Sequence, residues 1–385
     1  MRKGIWQEFD GYDRVASEIE ASRKFPVDYA VEKDSVEQVI GRLHPKKLRL
    51  RVADVIEETV SAKTLRLVSK EGYLPPFLAG QYLSLILNIG QVRTNRPYSI
   101  SSPPNQTGYY DITVRRVEGG LVSNYLLDQV KRGQELESSG PAGHFYFNPL
   151  FHDRTMVCLA GGSGITPFMS MIREVLERGL DRTIFLFYGN RTLEEAIFHD
   201  LLLGLADRFD NFHYRPVIEH PPAGYRGATG FISAQVIQAA LGHVFDKTFY
   251  LCGPQAMYDF CLPELARLEV PGRKIRREVY GAPLNIHLHP GWPEEVKPEA
   301  AFTVRVKNGP EFKARAGESL LAALEKNGLT APSLCRSGEC SLCRIKVLSG
   351  QVFQPAGALV RKSDRKYGYV HACVSYPLAD LALAL

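Results

Sequence analysis

The stretch "SLCRSGECSLCRIKVLSGQVF", residues 333–353, places three cysteines within nine positions and then continues as an alternating apolar run. Cys335, Cys340 and Cys343 have the spacing C-x4-C-x2-C, and Cys373 follows in "HACVSYP". This is the spacing of plant-type [2Fe-2S] proteins. Zinc sites usually combine two short cysteine pairs, so zinc and a disulfide are the weaker alternatives. We therefore expect these four thiolates to bind a [2Fe-2S] cluster.

The residues before this stretch predict the fold that carries it. Two short alternating strands are joined at Asn308 and Gly309, and a helix follows from about Ser319 to Asn327, with Gly328 as its stop. A hairpin, a helix and then a cysteine loop resemble the β-grasp fold of plant-type ferredoxins. The resemblance covers residues 301–385.

The length and composition of the chain indicate a modular globular protein. Its 385 residues exceed one comfortable core and predict two or three domains, and 45% hydrophobic with 23% charged residues is typical of folded proteins. The sequence has neither a signal-peptide start nor an apolar run that could cross a bilayer, so we expect a cytoplasmic protein. Thiols stay reduced there, and Cys158, Cys252 and Cys261 are expected to pack as small apolar residues.

Residues 47–151 read as an antiparallel β-barrel, because their apolar residues alternate with period two. Within this region "RPYS" places Arg96 and Tyr98 on one face of a strand. The segment "EGGLVSNYLLDQV" is a glycine turn that opens a helix, and the free N–H groups of such a helix start attract phosphate.

These motifs, followed by "GPAGHF" at 140–145, resemble the flavin domain of the ferredoxin-NADP reductase superfamily. The resemblance implies that Tyr98 stacks on the isoalloxazine, that Ser99 lies near flavin N5 as a catalytic residue, and that Arg96 binds phosphate. It favours FAD over FMN. The implied flavin-binding residues are Arg96, Pro97, Tyr98, Ser99, Gly120, Leu121, Val122 and Ser123.

Residues 152–283 predict a parallel α/β sheet, in which buried strands, short turns and helices recur. A strand from Thr155 to Ala160 runs into "GGSG", and we expect Thr166 to cap the next helix, with Pro167 as its first residue. In such a sheet a ligand binds beyond the carboxyl ends of the strands.

The turns "GGSGITP" and "CGPQAM" resemble the pyridine-nucleotide domain of the same superfamily. The resemblance implies a catalytic role for Cys252 and for Glu278, which precedes Tyr280 in "RREVYGAP". Arg191 can accept a 2′-phosphate, but Glu194 and Glu195 follow it, so NADH and NADPH both remain open. The implied nucleotide-site residues are Gly161, Gly162, Gly164, Thr166, Arg191, Cys252, Gly253, Pro254 and Tyr280.

The order of flavin, nucleotide and ferredoxin domains, with a linker at 284–300, resembles reductases of the phthalate dioxygenase and phenylacetyl-CoA epoxidase types. This resemblance implies electron transfer from NAD(P)H through flavin to the cluster, and on to an oxygenase or other metalloprotein. A flavin has to stand between the two, because a nicotinamide delivers two electrons as a hydride whereas the cluster accepts one at a time. The alternative function is an electron-entry or redox-sensing subunit of a larger complex, with little turnover of its own.

The charge of the ferredoxin region predicts the character of its partner. From Ala301 onward there are twelve Lys or Arg and six Asp or Glu residues, and Arg361, Lys362, Arg365 and Lys366 are grouped. We expect an electron acceptor with an acidic docking face. No feature indicates a nucleic-acid or membrane partner.

Residues 1–46 lie outside the resemblance and predict a helical extension. Apolar residues from Ile5 and Phe9 to Ile19 recur at helical spacing, and Ser35 with Gln38 forms a capping box before a second helix. Packing on the barrel and binding to a partner are both open for this segment.

Overall fold

The computed structural model describes residues 11–24, 29–283 and 285–385 of the chain. Residues 1–46 form one compact unit and residues 47–385 form a second. Among the described residues, no helix is long and apolar enough to pass through a bilayer.

The first unit contains helices α1 (Tyr12–Lys24) and α2 (Tyr29–Leu43). Val15 and Ile19, from the predicted apolar stripe, are 54% and 49% exposed, whereas Ile5 and Phe9 lie outside the described residues. The capping box predicted at Ser35 is wrong, because α2 begins six residues earlier and continues through this position.

The second unit begins with an antiparallel sheet in the strand order β4-β3-β6-β1-β2-β5. An isolated bridge between Ile100 and Ile112 links the end of β4 to β5 and curls the sheet into a barrel. Alternating apolar residues such as Leu50, Leu65 and Leu83 fill its interior. The elements are β1 (Leu48–Thr59), β2 (Ala62–Ser69), β3 (Tyr82–Ile89), β4 (Val92–Ser99), β5 (Tyr110–Arg115), α3 (Leu121–Asp128) and β6 (Glu135–Ser138).

A parallel sheet follows in the order β10-β9-β8-β7-β11-β12, with helices on both faces, as the sequence predicts. The central strands β7, β8 and β11 are almost entirely buried, which explains their continuous apolar character. The elements are β7 (Thr155–Gly161), α4 (Ile165–Glu177), β8 (Thr183–Asn190), α5 (His199–Arg208), β9 (Phe212–Ile218), β10 (Ala228–Thr229), α6 (Ala234–Leu241), β11 (Lys247–Cys252), α7 (Gln255–Arg267) and β12 (Ile275–Glu278).

The cap predicted at Thr166 is wrong. The glycines Gly162–Gly164 form a 3-10 turn that passes directly into α4, so the helix starts at Ile165 with Gly164 as its N-cap. Thr166 is the second helical residue, and its hydroxyl donates to the Ser163 carbonyl at 3.0 Å.

The C-terminal region forms a mixed sheet in the order β14-β13-β19-β15-β17, packed on α8. The predicted hairpin and helix are both present: Asn308 has a φ of 59° at the turn, and Ser319 caps α8 by accepting from Ala322 N at 3.4 Å. The elements are β13 (Ala301–Val306), β14 (Glu311–Arg315), α8 (Leu320–Lys326), β15 (Arg344–Ser349), β16 (Val352–Phe353), α9 (Lys362–Lys366), β17 (Tyr369–His371), β18 (Tyr376–Pro377) and β19 (Leu381–Ala384).

The connection between the parallel sheet and the C-terminal sheet is folded onto the latter. Ile286 is fully buried, and Trp292 packs edge-on against Phe353 and Tyr376, with ring centroids at 5.3 and 6.5 Å. Apolar burial of this kind fastens the connection to the C-terminal sheet, so its Pro- and Gly-rich composition does not make it a free tether.

Candidate functional site

Strand β4 provides one wall of a cavity of about 810 Å³ that is lined from all parts of the second unit. Arg96, Pro97, Tyr98 and Ser99 all line it, as the motif predicts. The Arg96 guanidinium donates from Nη1 to Thr94 Oγ1 and to the Asn95 carbonyl, both at 2.7 Å. Burial, reinforced by a neighbouring guanidinium, lowers the pKa of Arg96 to about 10.

The glycine turn before α3 contributes a second wall, but its four predicted residues do different things. Gly120 is the N-cap without a capping side chain, and a Cβ added there would lie 2.6 Å from Ser123 Oγ. Ser123 lines the cavity, whereas the Val122 side chain packs in the barrel core and Leu121 is 48% exposed. The backbone N–H of Gly120 donates to the Val117 carbonyl at 2.9 Å, so Leu121 and Val122 are the residues whose N–H groups can bind phosphate at this helix start.

A second cavity, of about 420 Å³, lies beyond the carboxyl ends of the parallel strands. It is lined by Gly161, Gly162, Arg191 and Pro254 of the predicted set, and Glu219 joins them. Thr166 lines the first cavity instead. Neither Glu194 nor Glu195 lines this second cavity.

Close backbone contact explains two of the glycines at this edge. A Cβ on Gly164 would lie 2.0 Å from the Cys252 carbonyl oxygen, and one on Gly253 would lie 2.6 Å from Met257 Sδ. The two turns therefore touch, which brings the phosphate-type loop and the "CGP" turn together as the sequence predicts.

A chain of three side chains connects the flavin strand to the nucleotide sheet. Ser99 Oγ lies 2.6 Å from Tyr280 OH, and Tyr280 is also hydrogen-bonded to the thiol of Cys252. Burial raises the pKa of both Tyr280 and Cys252 well above their usual values, so both side chains stay protonated near neutral pH. The structure thus brings together three residues predicted from separate motifs.

Glu278, at the end of β12, pairs with Cys252 of β11 and lies close enough to Cys252 and Tyr280 to raise the pKa of both side chains. Its carboxyl is buried and lines neither of these cavities; the acidic groups that act on it are those of Glu339 and Cys335 in the cysteine loop. Burial, followed by these two neighbours, raises the pKa of Glu278 to about 8. The side chain therefore lies between the Cys252 and Tyr280 pair and the cysteine loop, and its catalytic role stays a prediction.

The four clustered cysteines lie together as two pairs. Cys343 Sγ donates to Cys373 Sγ at 3.3 Å, and Cys335 is hydrogen-bonded to Cys340. Backbone N–H groups of Ser337 and Cys340 also point at Cys335 Sγ, each at 3.4 Å. The hydrogen bond from Cys340 lowers the pKa of Cys335 to about 4, which favours its thiolate.

This pairing fits a binuclear cluster, which needs two thiolates for each iron. The loop winds tightly: Arg336, Gly338 and Ser341 all have positive φ angles, of 58°, 83° and 59°. The donor set and the compact loop fit a [2Fe-2S] group.

Sequence reasoning missed residues in both cavities. Arg115 lines both of them and pairs with Glu195 at 2.6 Å. Its position at the end of β5, directly before the glycine turn, is the signal that could have found it. Phe231 and Phe260 pack with ring centroids 5.3 Å apart and line the smaller cavity, but no local motif marks them.

Comparison with known families and proteins supports the same arrangement. Family models match an oxidoreductase FAD-binding domain at residues 47–147, an oxidoreductase NAD-binding domain at 158–262 and a 2Fe-2S iron-sulfur cluster binding domain at 304–378. The chain is 31% identical over 339 residues to NADH oxidoreductase HCR of Escherichia coli, covering 87% of this chain and 97% of the relative.

Two further similarities concern proteins of oxygenase systems. The chain is 28% identical over 350 residues to one of the subunits of the 1,2-phenylacetyl-CoA epoxidase of Escherichia coli, covering 86% of this chain and 95% of the relative. The solved structure of phthalate dioxygenase reductase, described as modular for electron transfer from pyridine nucleotides to [2Fe-2S], matches with a TM-score of 0.66 and 27% identity. That match covers 88% of this chain and 98% of the reductase.

Proposed function

The chain belongs to the family of oxidoreductases that join an FAD-binding, an NAD-binding and a [2Fe-2S] domain, and we propose that it is the reductase component of an oxygenase system. It is an NAD(P)H-dependent reductase that uses FAD and a [2Fe-2S] cluster. The single observation that carries the proposal is the placement of the cysteine loop against the flavin strands, which Ser84 and Asn95 hold through hydrogen bonds to the Leu334 carbonyl at 3.1 and 3.2 Å.

The residues that line the larger cavity have different proposed roles in the reaction. Bound FAD would supply the chemistry that converts a two-electron hydride into single electrons. Tyr98 would form an aromatic wall for it, and Arg96 would supply a largely buried positive charge for a phosphate group. The Ser99 hydroxyl, held by Tyr280, presents a hydrogen-bonding group where the flavin and nucleotide parts of the site meet.

The surface beside the cluster loop supports an acidic acceptor. Leu342, between two cluster cysteines, is 50% exposed, and Leu359 donates its backbone N–H to the Gly338 carbonyl of the same loop at 3.2 Å. Arg361 and Lys362 follow Leu359 closely and are exposed. An apolar spot flanked by positive charge favours a partner that carries acidic residues around an apolar centre.

The experiment reverses these charges. The double variant Arg361→Glu, Lys362→Glu should slow electron transfer to the oxygenase component that this chain reduces by at least about tenfold at low salt, because steering depends on charge. The rate with the unchanged protein should fall as the ionic strength passes about 0.1 M.

NADH- and NADPH-driven reduction of ferricyanide serves as the internal control and should not change. Arg305→Glu, an exposed charge reversal on β13, is the matched control variant. A transfer rate that ignores both salt and the double variant would rule out the acidic docking face. Failure of any oxygenase component to accept electrons would rule out the proposed function itself.

A further inference from the structure

A buried polar seam joins the flavin strands to the ferredoxin region. On one side lie Ser84, Thr94 and Asn95, and on the other lie the cysteine loop and α8. The Asn95 amide donates to the Leu334 carbonyl, and its oxygen accepts from the Ser333 hydroxyl. Because these groups are buried or half-buried, each hydrogen bond satisfies a polar atom that water reaches poorly.

An ion pair forms the centre of this seam. Arg336 donates from both terminal nitrogens to Glu325, at 2.6 and 3.0 Å, and both side chains are only 8% exposed. Thr94 Oγ1 donates to Glu325 Oε2 at 3.0 Å, and it accepts from Arg96 Nη1 at 2.7 Å. The hydroxyl of Thr94 therefore connects the flavin-strand arginine to the ferredoxin carboxylate.

The formal charge at this point does not balance. Arg336 pairs with Glu325, and Arg96 reaches Glu325 only through the Thr94 hydroxyl, so these three largely buried side chains carry one net positive charge. A buried charge of this kind is costly unless an anion compensates it. Both guanidiniums line the 810 Å³ cavity, so the excess charge faces the space that β4 and α3 prepare for phosphate.

The other cations of this cavity are already matched or solvated. Arg115 pairs with Glu195, and Lys326 pairs with Glu318. Arg315 is exposed to solvent at the end of β14. The unmatched buried charge is therefore the one that Arg96 and Arg336 share across the seam.

We propose that Arg336, from the ferredoxin region, completes the phosphate site of the flavin together with Arg96, so that flavin binding and ferredoxin docking stabilise each other. The inference rests on the proposed function, since it takes the larger cavity as the flavin site. By linkage, any change that weakens flavin binding through Arg336 also loosens the docked ferredoxin region to the same extent.

Two variants that each remove one charge of the ion pair separate this role from simple structural support. Glu325→Gln raises the net charge facing the phosphate from one to two, and FAD should bind to the apo-flavin protein more tightly than to the unchanged chain. Arg336→Gln lowers the net charge to zero, and FAD should bind at least about tenfold more weakly, as the loss of a charge-assisted hydrogen bond implies. The double variant restores one net charge and should bind FAD nearly as the unchanged protein does.

A purely structural ion pair gives a different pattern, because either single variant breaks it and both should then weaken FAD binding. That shared direction would overturn the proposal. FAD binding is measured by fluorescence titration of the full chain, and the visible iron-sulfur spectrum establishes that each variant keeps its cluster. If a variant loses its cluster, Thr94→Ser and Thr94→Val test the same seam without touching the ferredoxin region.

Hydrogen exchange gives a second readout that is independent of turnover. Adding FAD to the apo-flavin protein should slow exchange of the backbone amides in residues 333–343, and this slowing should be lost in Arg336→Gln but kept in the control Arg305→Gln. No change in the unchanged protein would overturn the coupling. If the unchanged chain binds no FAD in the titration, the proposed function fails instead, so the two failures are distinct.

Discussion

The barrel meets its two neighbours through contacts of opposite chemistry. Toward the parallel sheet the contact is apolar: Phe145 packs edge-on against Phe168 and Tyr250, with ring centroids at 5.7 and 5.8 Å. Gly80 allows this close packing, since a Cβ there would lie 2.4 Å from Met171 Cε. These residues belong to one continuous hydrophobic core that includes both sides of the boundary.

Toward the ferredoxin region the contact is polar, and the hydrophobic cores on its two sides are separate. Separating an apolar boundary costs a free energy of about 25 cal/mol for each Å² of apolar surface that becomes exposed. A polar boundary costs less to separate, because its groups can form hydrogen bonds with water instead. Because the barrel and the parallel sheet share one core, we expect them to behave as one rigid platform. The ferredoxin region, in contrast, is attached through hydrogen bonds and one buried ion pair.

The largest expected effect is loss of the cluster from the ferredoxin region, with the barrel and the parallel sheet unaffected. Cys373→Ser should abolish the cluster, because one iron loses a thiolate from the Cys343 and Cys373 pair. Flavin content and NAD(P)H-driven ferricyanide reduction should remain, since the platform does not depend on the cluster. The visible and electron paramagnetic resonance spectra measure the loss, and an unchanged iron-sulfur spectrum would show that this ligand is wrongly assigned.

The second prediction tests whether the platform unfolds as one body. Phe145→Ala should lower its free energy of unfolding by about 3 to 5 kcal/mol, the usual cost of removing a buried aromatic ring. In a urea titration, the change in flavin fluorescence on release and the loss of nucleotide binding should both move to the same lower urea concentration.

The matched control for this variant lies in the ferredoxin core. Phe312→Ala should shift the bleaching of cluster absorbance and leave the platform transition in place. If Phe145→Ala separated the flavin and nucleotide transitions from each other, the platform would be two independent bodies and the comparison would fail.

Local sequence patterns predicted what local physics determines. The cysteine cluster, the hairpin at Asn308 and the helix predicted from about Ser319 are each set by a few neighbouring residues, and all three appear in the structure. The cap predicted at Thr166 is wrong because a 3-10 turn of glycines leads directly into α4, which begins at Ile165. No pattern of side chains in the sequence indicates such a turn.

The polar seam could not be predicted in the same way. Thr94 and Glu325 are 231 positions apart in the sequence, and neither belongs to a motif. Each side chain taken alone is typical of a solvated surface, and only the docking of two modules buries them. Glu278 illustrates the same limit, because its motif indicates the neighbourhood of Cys252 and Tyr280 but not the proximity of Glu339 in the cysteine loop.

The smallest expected effect tests the seam from the barrel side. Thr94→Val keeps the shape of the side chain but removes the hydroxyl that accepts from Arg96 and donates to Glu325. Loss of these bonds should cost about 1 to 3 kcal/mol of docking free energy, because it leaves buried polar atoms unpaired. In stopped-flow experiments, reduction of the cluster by reduced flavin should slow by less than about tenfold, because part of the population undocks. Reduction of flavin by NAD(P)H should not change.

Ser84→Ala is the matched control and should have a weaker effect, because the Leu334 carbonyl that it releases still accepts from Asn95. Equal effects of the two variants would mean that the ion pair contributes nothing special to docking, and no effect of either would mean that the seam is held by apolar contacts like the other boundary.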